Sequence, residues 1–508
     1  MADRLYTSHN ADEIISALRS VTGLDKFIIS RMAFAYSLAL NGTNVPRSIN
    51  FSGGEMKRTS FIGNDELFIK TLIKQVYNKS EIEENEFYSN KSIIKDHIDN
   101  GAELLWKLFK KNGEDVNRWY TEIVSFIEFN AEQKIKTKDL DIFIGRRVID
   151  NEEFIIELNN TQKHANSHMA IMGKPGVGKT QFLLKILTDI RIQSDYQTNF
   201  IFFDYKGDVV DQENFVVLTR ARTYKLLQNN EYLPINPFIL PEYSEQTIQI
   251  SAREKAESFA SINSKLGVVQ KGNLTETIIA GYAARANTDK PYPDFNDILN
   301  IAVRMYEDEG KQDDTLIEIL RDLAKFNLFW SHSSDIHAFE KLTNRTIIID
   351  LSKMPVLKEL VAYLVIERLY KEITALPDSP IKDGRRTIRT ILVIDEAHNY
   401  LSQKNIFLQR IIREGRSKGI VVFFASQSPS DYQQKFFNFQ ELLEFAFIFQ
   451  SEAVSARSIQ DILGCSNNTA KTLQTEIARL EPFQVISRSD KNIEEYTKFV
   501  AEPFYKNY

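Results

Sequence analysis

The sequence has 508 residues, a formal net charge of -6 and a single cysteine, Cys465. This length indicates two to four domains, and the negative charge excludes a basic field over the whole chain, so nucleic acid would have to bind at a local patch or in a pore. One cysteine excludes an intrachain disulfide and a cysteine-rich zinc site, and no apolar run approaches a membrane span, so we expect a cytoplasmic protein.

Residues 1–125 are predicted to form a separate, predominantly α-helical domain. Apolar residues recur at helical spacing around Ile14–Leu18 and Ile28–Leu38, and Gly23 between these stretches is a natural helix end. A polar, charged segment at residues 126–139 indicates a linker. Residues 140–508 then form a second domain, with a helical insertion at about residues 250–340.

A phosphate-binding loop follows a buried-strand pattern in the second domain. It has the spacing G-x-x-x-x-G-K-[ST], and apolar residues at helical spacing follow it. Glycines allow backbone N–H groups to close around phosphate oxygens, Lys179 would reach the β- and γ-phosphates, and Thr180 would offer its hydroxyl to Mg²⁺. The predicted nucleotide site consists of Gly173, Lys174, Pro175, Gly176, Val177, Gly178, Lys179 and Thr180.

Two charged segments next to predicted strands each allow a functional role or a solvated one. Asp204 and Lys206 end a buried-strand pattern, where open α/β sheets place ligands. They are either supporting groups of the site or part of a solvated turn. A later basic loop is either solvated or facing DNA, and it contains Lys382, Arg385, Arg386 and Arg389.

A second acidic motif completes the predicted nucleotide site. Four branched apolar residues, Ile391–Ile394, indicate a strand that is buried on both faces and presents Asp395 and Glu396 at its carboxyl end. Asp395 would hold the Mg²⁺ shell, while Glu396 would orient and deprotonate the attacking water. We interpret His398, which follows them, as structural.

One further strand pattern ends in Gln427, after residues 420–425. A polar residue at the end of the strand beside the acidic motif can contact the γ-phosphate, so Gln427 is the candidate sensor. Arginines Arg413 and Arg416 lie just before this strand. In a ring of subunits, a neighbour's arginine can complete the charge stabilisation of the transferring phosphoryl group.

In this order, the motifs of residues 140–500 resemble the HerA and FtsK family of ATP-driven DNA translocases. The resemblance implies an α/β RecA-like P-loop motor domain that assembles as a hexameric ring around duplex DNA. It also implies an arginine that acts in trans, which maps to Arg416, with Arg413 as the alternative. The further segments that carry it are Asp204 with Lys206-Gly207, Leu233–Phe238, Ile349–Ser352, Asp395–Asn399 and Glu414–Arg416.

The N-terminal domain resembles the small DndE protein of DNA phosphorothioation systems. The matching segments are Leu18–Leu24, Gly54–Thr59 and His97–Gly101. That family is associated with DNA binding through basic surface residues, and the resemblance implies that role for Arg19, Lys57 and Arg58. The alternative is that these are ordinary solvated charges.

We therefore expect an ATP-hydrolysing, hexameric DNA translocase or helicase that uses ATP and Mg²⁺ and binds double-stranded DNA. The resemblances place it in a phosphorothioation-linked or other anti-phage defence system, with a nuclease or DNA-modification partner and no membrane. The main alternative is an ATP-gated assembly platform that binds such a partner without translocation. A DNA-binding adaptor with a degenerate ATP site is disfavoured, because every catalytic position is retained.

Overall fold

In a computed structural model of the chain, two compact units are found, Met1–Lys136 and Thr137–Tyr508. Residues 126–136 of the predicted linker lie outside the part of the chain that the structure describes. The described residues are 4–63, 65–77, 83–88, 92–120, 123, 137–228, 231–263, 265–288, 291–334, 338–339, 341–354, 357–452, 454–488 and 496–508.

The described part of the N-terminal unit is mainly helical, as predicted. A two-stranded antiparallel ribbon pairs β1 (Arg4–Tyr6) with β2 (Glu55–Lys57). The helices are His9–Thr22, Lys26–Asn41, Arg58–Ile62, Glu66–Tyr77, Glu84–Tyr88 and Ile93–Lys111.

Two glycines explain how these helices end and pack. Gly23 terminates the first helix in the left-handed region, at φ 73°, which confirms the predicted helix end. Gly101 lies where the two longest helices of this unit cross. Glycine is required there because a Cβ would overlap the Ala33 backbone carbonyl. The apolar core formed around these helices contains only residues of this unit, from Leu5 to Ile123.

The second unit is built on a large mixed sheet. Its strands are β3 (Asp141–Arg147), β4 (Glu153–Glu157), β5 (Met169–Met172), β6 (Asn199–Asp204), β7 (Arg222–Lys225), β8 (Ile347–Asp350), β11 (Thr390–Ile394), β12 (Ile420–Ser426), β15 (Phe445–Ile448), β16 (Gln484–Arg488) and β17 (Tyr496–Ala501). Two short hairpins lie outside it, β9 (Ile381–Lys382) with β10 (Arg385–Arg386), and β13 (Gln433–Gln434) with β14 (Phe437–Asn438).

The strand order across the described sheet is β4-β3-β17-β16-β15-β5-β12-β11-β6-β8-β7. All pairings from β15 to β7 are parallel, and those from β15 to β4 are antiparallel. The sequence predicts short strands at residues 142–147 and 154–158, which the structure confirms as β3 and β4, but it does not predict their antiparallel pairing or the position of β17. In this antiparallel part of the sheet, β17 is inserted between β16 and β3.

The central strands are buried on both faces, as the apolar run before Asp395 predicted. Alternate β11 side chains enter two different apolar cores, Leu392 and Ile394 one and Ile391 and Val393 the other. Helices cover the two faces, and this arrangement confirms the α/β class. They are Lys179–Gln193, Glu213–Thr219, Glu245–Ile262, Val268–Arg285, Phe295–Asp308, Thr315–Lys325, Lys358–Thr374, Ala397–Leu401, Ile406–Glu414, Ala456–Leu463, Asn467–Ala478 and Phe504–Asn507.

A buried ion cluster joins the helix Glu245–Ile262 to the helix Lys358–Thr374. Glu367 Oε1 lies 2.9 Å from Lys255 Nζ and 2.8 Å from Lys371 Nζ. Burial lowers the pKa of Lys255 to about 8 despite the neighbouring carboxylate. Removal of one partner from such a cluster leaves an uncompensated buried charge, so the contact fixes how these two helices pack.

None of the helices in the described part of the chain has the length and apolarity that crossing a bilayer requires.

Candidate nucleotide site

The phosphate loop connects β5 to the helix Lys179–Gln193, and its three glycines all have positive φ. At two of these positions glycine is required because a side chain would collide with neighbouring residues of the protein. A Cβ on Gly173 would lie 2.7 Å from Phe449 Cβ, and one on Gly178 would overlap the Phe483 ring. Gly176 has open space beside its Cα and φ 81°. The left-handed backbone conformation therefore explains Gly176, whereas packing against the protein explains the other two.

Lys179 begins the helix and turns its side chain back over the loop. Its Nζ donates hydrogen bonds to the carbonyl oxygens of Gly173, at 2.5 Å, and Lys174, at 2.9 Å. Burial lowers the pKa of Lys179, although the nearby Glu396 and Asp395 oppose this effect. A buried ammonium group held mainly by neutral carbonyls is a suitable partner for a phosphate anion.

The acidic motif lies at the same edge of the sheet as the phosphate loop. In the parallel register, Ile394 is level with Phe203 of β6 and Phe424 of β12. Asp395 follows directly and is 4% exposed. Burial, and secondarily the charge of Glu396, raises the pKa of Asp395 to about 6.

Glu396 is held by three side chains from different elements. It forms an ion pair with Lys206, and its Oε2 accepts a hydrogen bond of 3.1 Å from Gln427 Nε2. His398 Nδ1 lies 3.3 Å from the same oxygen, without the alignment of a hydrogen bond. Burial alone would raise the pKa of Glu396, but Lys206 and Gln427 together hold it below its usual value.

The residues fit a nucleotide with Mg²⁺. The Thr180 hydroxyl lies in the first helical turn, and Asp395 supplies a carboxylate on a nearby strand end, so both offer the oxygen ligands that Mg²⁺ prefers. The unpaired N–H groups of the first helical turn favour phosphate oxygens. A bound cation would lower the pKa of Asp395 again because of its positive charge.

Arg416 does not join this constellation. It is exposed and precedes Ile420, the first residue of β12. The seven residues of β12 span about 20 Å and carry the chain to Gln427 at the other edge. His168 lies directly before β5. Burial lowers the pKa of His168 to about 4, and the positive charge of Arg416 lowers it further. Arg416 is therefore too far from Lys179 of its own chain to contact the same nucleotide.

Two arginines, the half-buried Arg386 and the buried Arg389, hold the loop that carries Arg416. Arg386 Nη1 donates to the Ser417 carbonyl at 3.1 Å, and Arg389 Nη1 donates to the Lys418 carbonyl at 2.8 Å. Arg389 is buried, so it is not the solvated group that the basic run suggested, whereas Arg386 is half-buried. The alternative trans arginine, Arg413, lies with its guanidinium 4.6 Å from the centre of the Phe437 ring.

The other members of the basic loop differ from each other. Arg385 pairs with Asp141 at 2.8 Å and Glu157 at 2.9 Å, so it ties the hairpin to β3 and β4 and is not available to DNA. Lys382 is exposed on the hairpin.

The three basic candidates of the N-terminal unit also differ. Arg19 and Lys57 are exposed. Arg58 pairs with Glu66, and its guanidinium lies 3.7 Å from the centre of the Tyr88 ring. The side chain of Arg58 therefore contributes to the packing of its own unit.

Sequence reasoning missed two residues that shape the site. Asp431 Oδ2 accepts hydrogen bonds from the backbone N–H groups of Gln427, at 3.2 Å, and Ser428, at 2.9 Å, and thereby fixes the turn that carries the sensor candidate. Phe483 donates its backbone N–H to the Val177 carbonyl at 3.0 Å while its ring packs on Gly178. A Ser-Pro turn followed by aspartate was the only local signal for Asp431, and none existed for Phe483.

Comparison with known families agrees with both resemblances. Residues 4–112 match the family model described as DNA sulphur modification protein DndE. Residues 142–373 match the model described as Helicase HerA, central domain. The two family assignments made from short motifs are thereby confirmed.

Two known proteins illustrate the similarity. DNA import protein CedB from Sulfolobus acidocaldarius is 24% identical over 369 residues, which are 70% of this chain and 51% of the relative, so the chain spans about half of that protein. The solved structure of VirB4 from Thermoanaerobacter pseudethanolicus has a TM-score of 0.53 at 14% identity, over 71% of this chain and 96% of that chain. The latter likeness concerns the fold alone.

Proposed function

We propose that this chain is an ATP-hydrolysing motor that moves along double-stranded DNA as a hexameric ring. The observation that carries the proposal is the convergence of Lys179, Asp395, Glu396 and Gln427 at one edge of the parallel sheet, while Arg416 is exposed at the opposite edge. One chain thus has a nucleotide site together with an arginine that it cannot use itself. A ring of copies would bring each arginine to a neighbour's site.

The roles of the site residues follow from their positions. Thr180 and Asp395 would hold Mg²⁺, which neutralises developing charge on the phosphates, and the loop N–H groups with Lys179 would bind the phosphate oxygens. Glu396 would accept a proton from the attacking water. Gln427, already hydrogen-bonded to Glu396, would report loss of the γ-phosphate.

DNA as the partner is supported by the descriptions of the two matched families and of one relative. The HerA model is described as a helicase, DndE as a DNA sulphur modification protein, and CedB as a DNA import protein. We propose that the N-terminal unit contacts DNA through Arg19 and Lys57. We further propose that the protein works in a phosphorothioation-linked or other anti-phage defence system, with a nuclease or DNA-modification partner.

Duplex DNA should stimulate ATP turnover, and the stimulation should increase with DNA length until end effects vanish. A translocating motor hydrolyses ATP at each step along the backbone, so longer tracks support more cycles per binding event. The logarithm of the DNA-binding constant should also fall linearly with the logarithm of the salt concentration, because local basic contacts release counterions. The measurements are steady-state ATP hydrolysis on a series of duplex lengths and ATP-driven displacement of a protein roadblock.

The assembly platform makes a different prediction in the same assay. It needs ATP binding to recruit a partner, but it has no track, so turnover would not depend on duplex length and the roadblock would stay in place. That pair of results would replace the motor by the platform.

Deletion of residues 1–136 should leave basal ATP turnover unchanged and weaken DNA binding. The apolar core of this unit contains only residues up to Ile123, and every group assigned to ATP chemistry lies in the other unit. Thermal melting of the truncated protein controls for folding. A folded truncation without ATP turnover would mean that the N-terminal unit contributes to the nucleotide site.

A further inference from the structure

Both carboxylate oxygens of Glu396 are already occupied. Lys206 Nζ pairs with Oε1, and Gln427 Nε2 donates to Oε2 at 3.1 Å. Glu396 is 5% exposed, so little of its surface faces solvent. An oxygen that holds an ammonium group cannot point the same lone pair at an attacking water. In this arrangement, Glu396 is placed at the nucleotide site with one lone pair of each oxygen directed at a protein side chain.

Hydrogen bonds to Asp204 hold the turn that carries Lys206 in place. The Asp204 carboxylate accepts hydrogen bonds from the backbone N–H groups of Gly207, at 2.8 Å, Val209, at 2.7 Å, and Val210, at 3.0 Å. Since β6 lies directly beside β11, the turn places Lys206 next to Glu396. The side chain of Lys206 nevertheless remains 40% exposed, so its ammonium group can move without disturbing the turn.

The backbone of Glu396 indicates that its orientation is imposed. Glu396 has φ 48°, in the left-handed region that residues other than glycine rarely adopt. Such a conformation persists where surrounding contacts determine it, and it is common where a site changes state. Two of the side chains that contact Glu396, Lys206 and Gln427, lie on the turns that follow the two strands adjacent to β11, and the third, His398, lies in the short helix after it.

We propose that Lys206 is a positioning residue that holds Glu396 in an unproductive ion pair until the phosphates of a bound nucleotide take over the ammonium group. This inference rests on the proposed ATP hydrolysis. Lys206 lies within electrostatic range of Lys179, so a polyphosphate bound at the loop would attract both cations. The exchange of a carboxylate for a phosphate oxygen keeps Lys206 paired, and it leaves Glu396 Oε1 able to accept a hydrogen bond from water.

The test is basal ATP turnover, without DNA, of full-length Lys206→Met. Methionine keeps much of the apolar stem but removes the charge, so Glu396 loses its competing partner. We expect basal turnover at ATP concentrations below saturation to rise about 2- to 5-fold, because the ion pair that competes with the nucleotide for Lys206 no longer has to be broken. Lys206→Arg, which retains a cation, should lie nearer to wild type than Lys206→Met.

A matched control comes from the edge of the same sheet. Lys225 is the last residue of the parallel strand β7, is 36% exposed, and pairs with Asp211 at 2.6 Å, away from the proposed chemistry. Lys225→Met should leave basal turnover unchanged. The double variant Lys206→Met with Glu396→Gln should lose the gain, because the gain acts through Glu396.

Several results would overturn the inference. Basal turnover that falls or stays constant in folded Lys206→Met, with fluorescent ATP-analogue binding retained, would show that Lys206 does not restrain Glu396. A gain that persists in the double variant would show that it arises elsewhere. If Lys206→Met fails to fold, Lys206→Gln is judged by the same criteria. An inactive wild type would instead contradict the proposed ATPase function, and the two failures are thereby distinguished.

Discussion

Glu396→Gln should bind ATP as well as the wild type does and lose hydrolysis by about 10²- to 10⁴-fold, the range that a general base contributes. Glutamine retains the length and hydrogen-bonding capacity of the side chain, so its contact with Gln427 can persist. It cannot accept a proton from water. None of the phosphate-binding groups is changed, and binding of a fluorescent ATP analogue should therefore be preserved while single-turnover hydrolysis fails.

Lys179→Ala is the matched comparison for this prediction. It removes the ammonium group that lies over the loop, 2.5 Å from the Gly173 carbonyl, and with it the main cation for the β- and γ-phosphates. This variant should lose productive ATP binding as well as hydrolysis. Equal loss of binding in Glu396→Gln and Lys179→Ala, both folded, would contradict the division of roles between acidic motif and loop.

Arg416→Ala should lower ATP turnover by about 10³-fold or more, because an arginine that meets the transferring phosphoryl group contributes this much in related chemistry. The reason lies in the geometry of one chain. Arg416 and Glu396 lie at opposite edges of the sheet, separated by the length of β12. A residue so distant from its own site can affect hydrolysis strongly only by completing the site of a neighbour.

Mixed rings provide the decisive measurement. Arg416→Ala subunits have an intact Glu396, and Glu396→Gln subunits have an intact Arg416, so a mixture contains interfaces with both groups. Turnover should recover partially as the two inactive variants are combined. Arg413→Ala decides between the two arginines, because Arg413 lies against Phe437 and should affect turnover less. Mixtures as inactive as either parent would contradict action in trans.

The nucleotide site could be predicted from sequence because its residues follow strand ends. The carboxyl ends of parallel strands meet at one edge, so identifying the strands before Gly173, Asp395 and Gln427 was sufficient to place these residues together. The same rule indicated Asp204 and Lys206 as neighbours. It could not show that Lys206 pairs with Glu396, because that depends on β6 lying beside β11, and strand order is not encoded in local periodicity.

Contacts between distant parts of the chain were not predictable. Phe483 supports Gly178 from about three hundred residues away in sequence, and nothing near either residue indicates the contact. Arg386 and Arg389 form a basic run that composition alone assigns to the surface. Their partners are backbone carbonyls of the Arg416 loop, and carbonyl groups have no sequence signature. These contacts depend on how the sheet assembles, and local sequence does not show them.

The position of β17 in the sheet has a consequence for how the protein is made. The described pairing of β3 links it to β4 on one side and to β17 on the other, and β17 is formed by residues 496–501. During synthesis, β3 can pair with β17 only after the ribosome has produced more than three hundred further residues. The described core residues of the N-terminal unit, in contrast, are all present once Ile123 has emerged. The unit with local contacts can thus mature on the ribosome, while the motor remains open until translation has passed Ala501. The order of synthesis would therefore let the N-terminal unit fold before the sheet of the second unit closes.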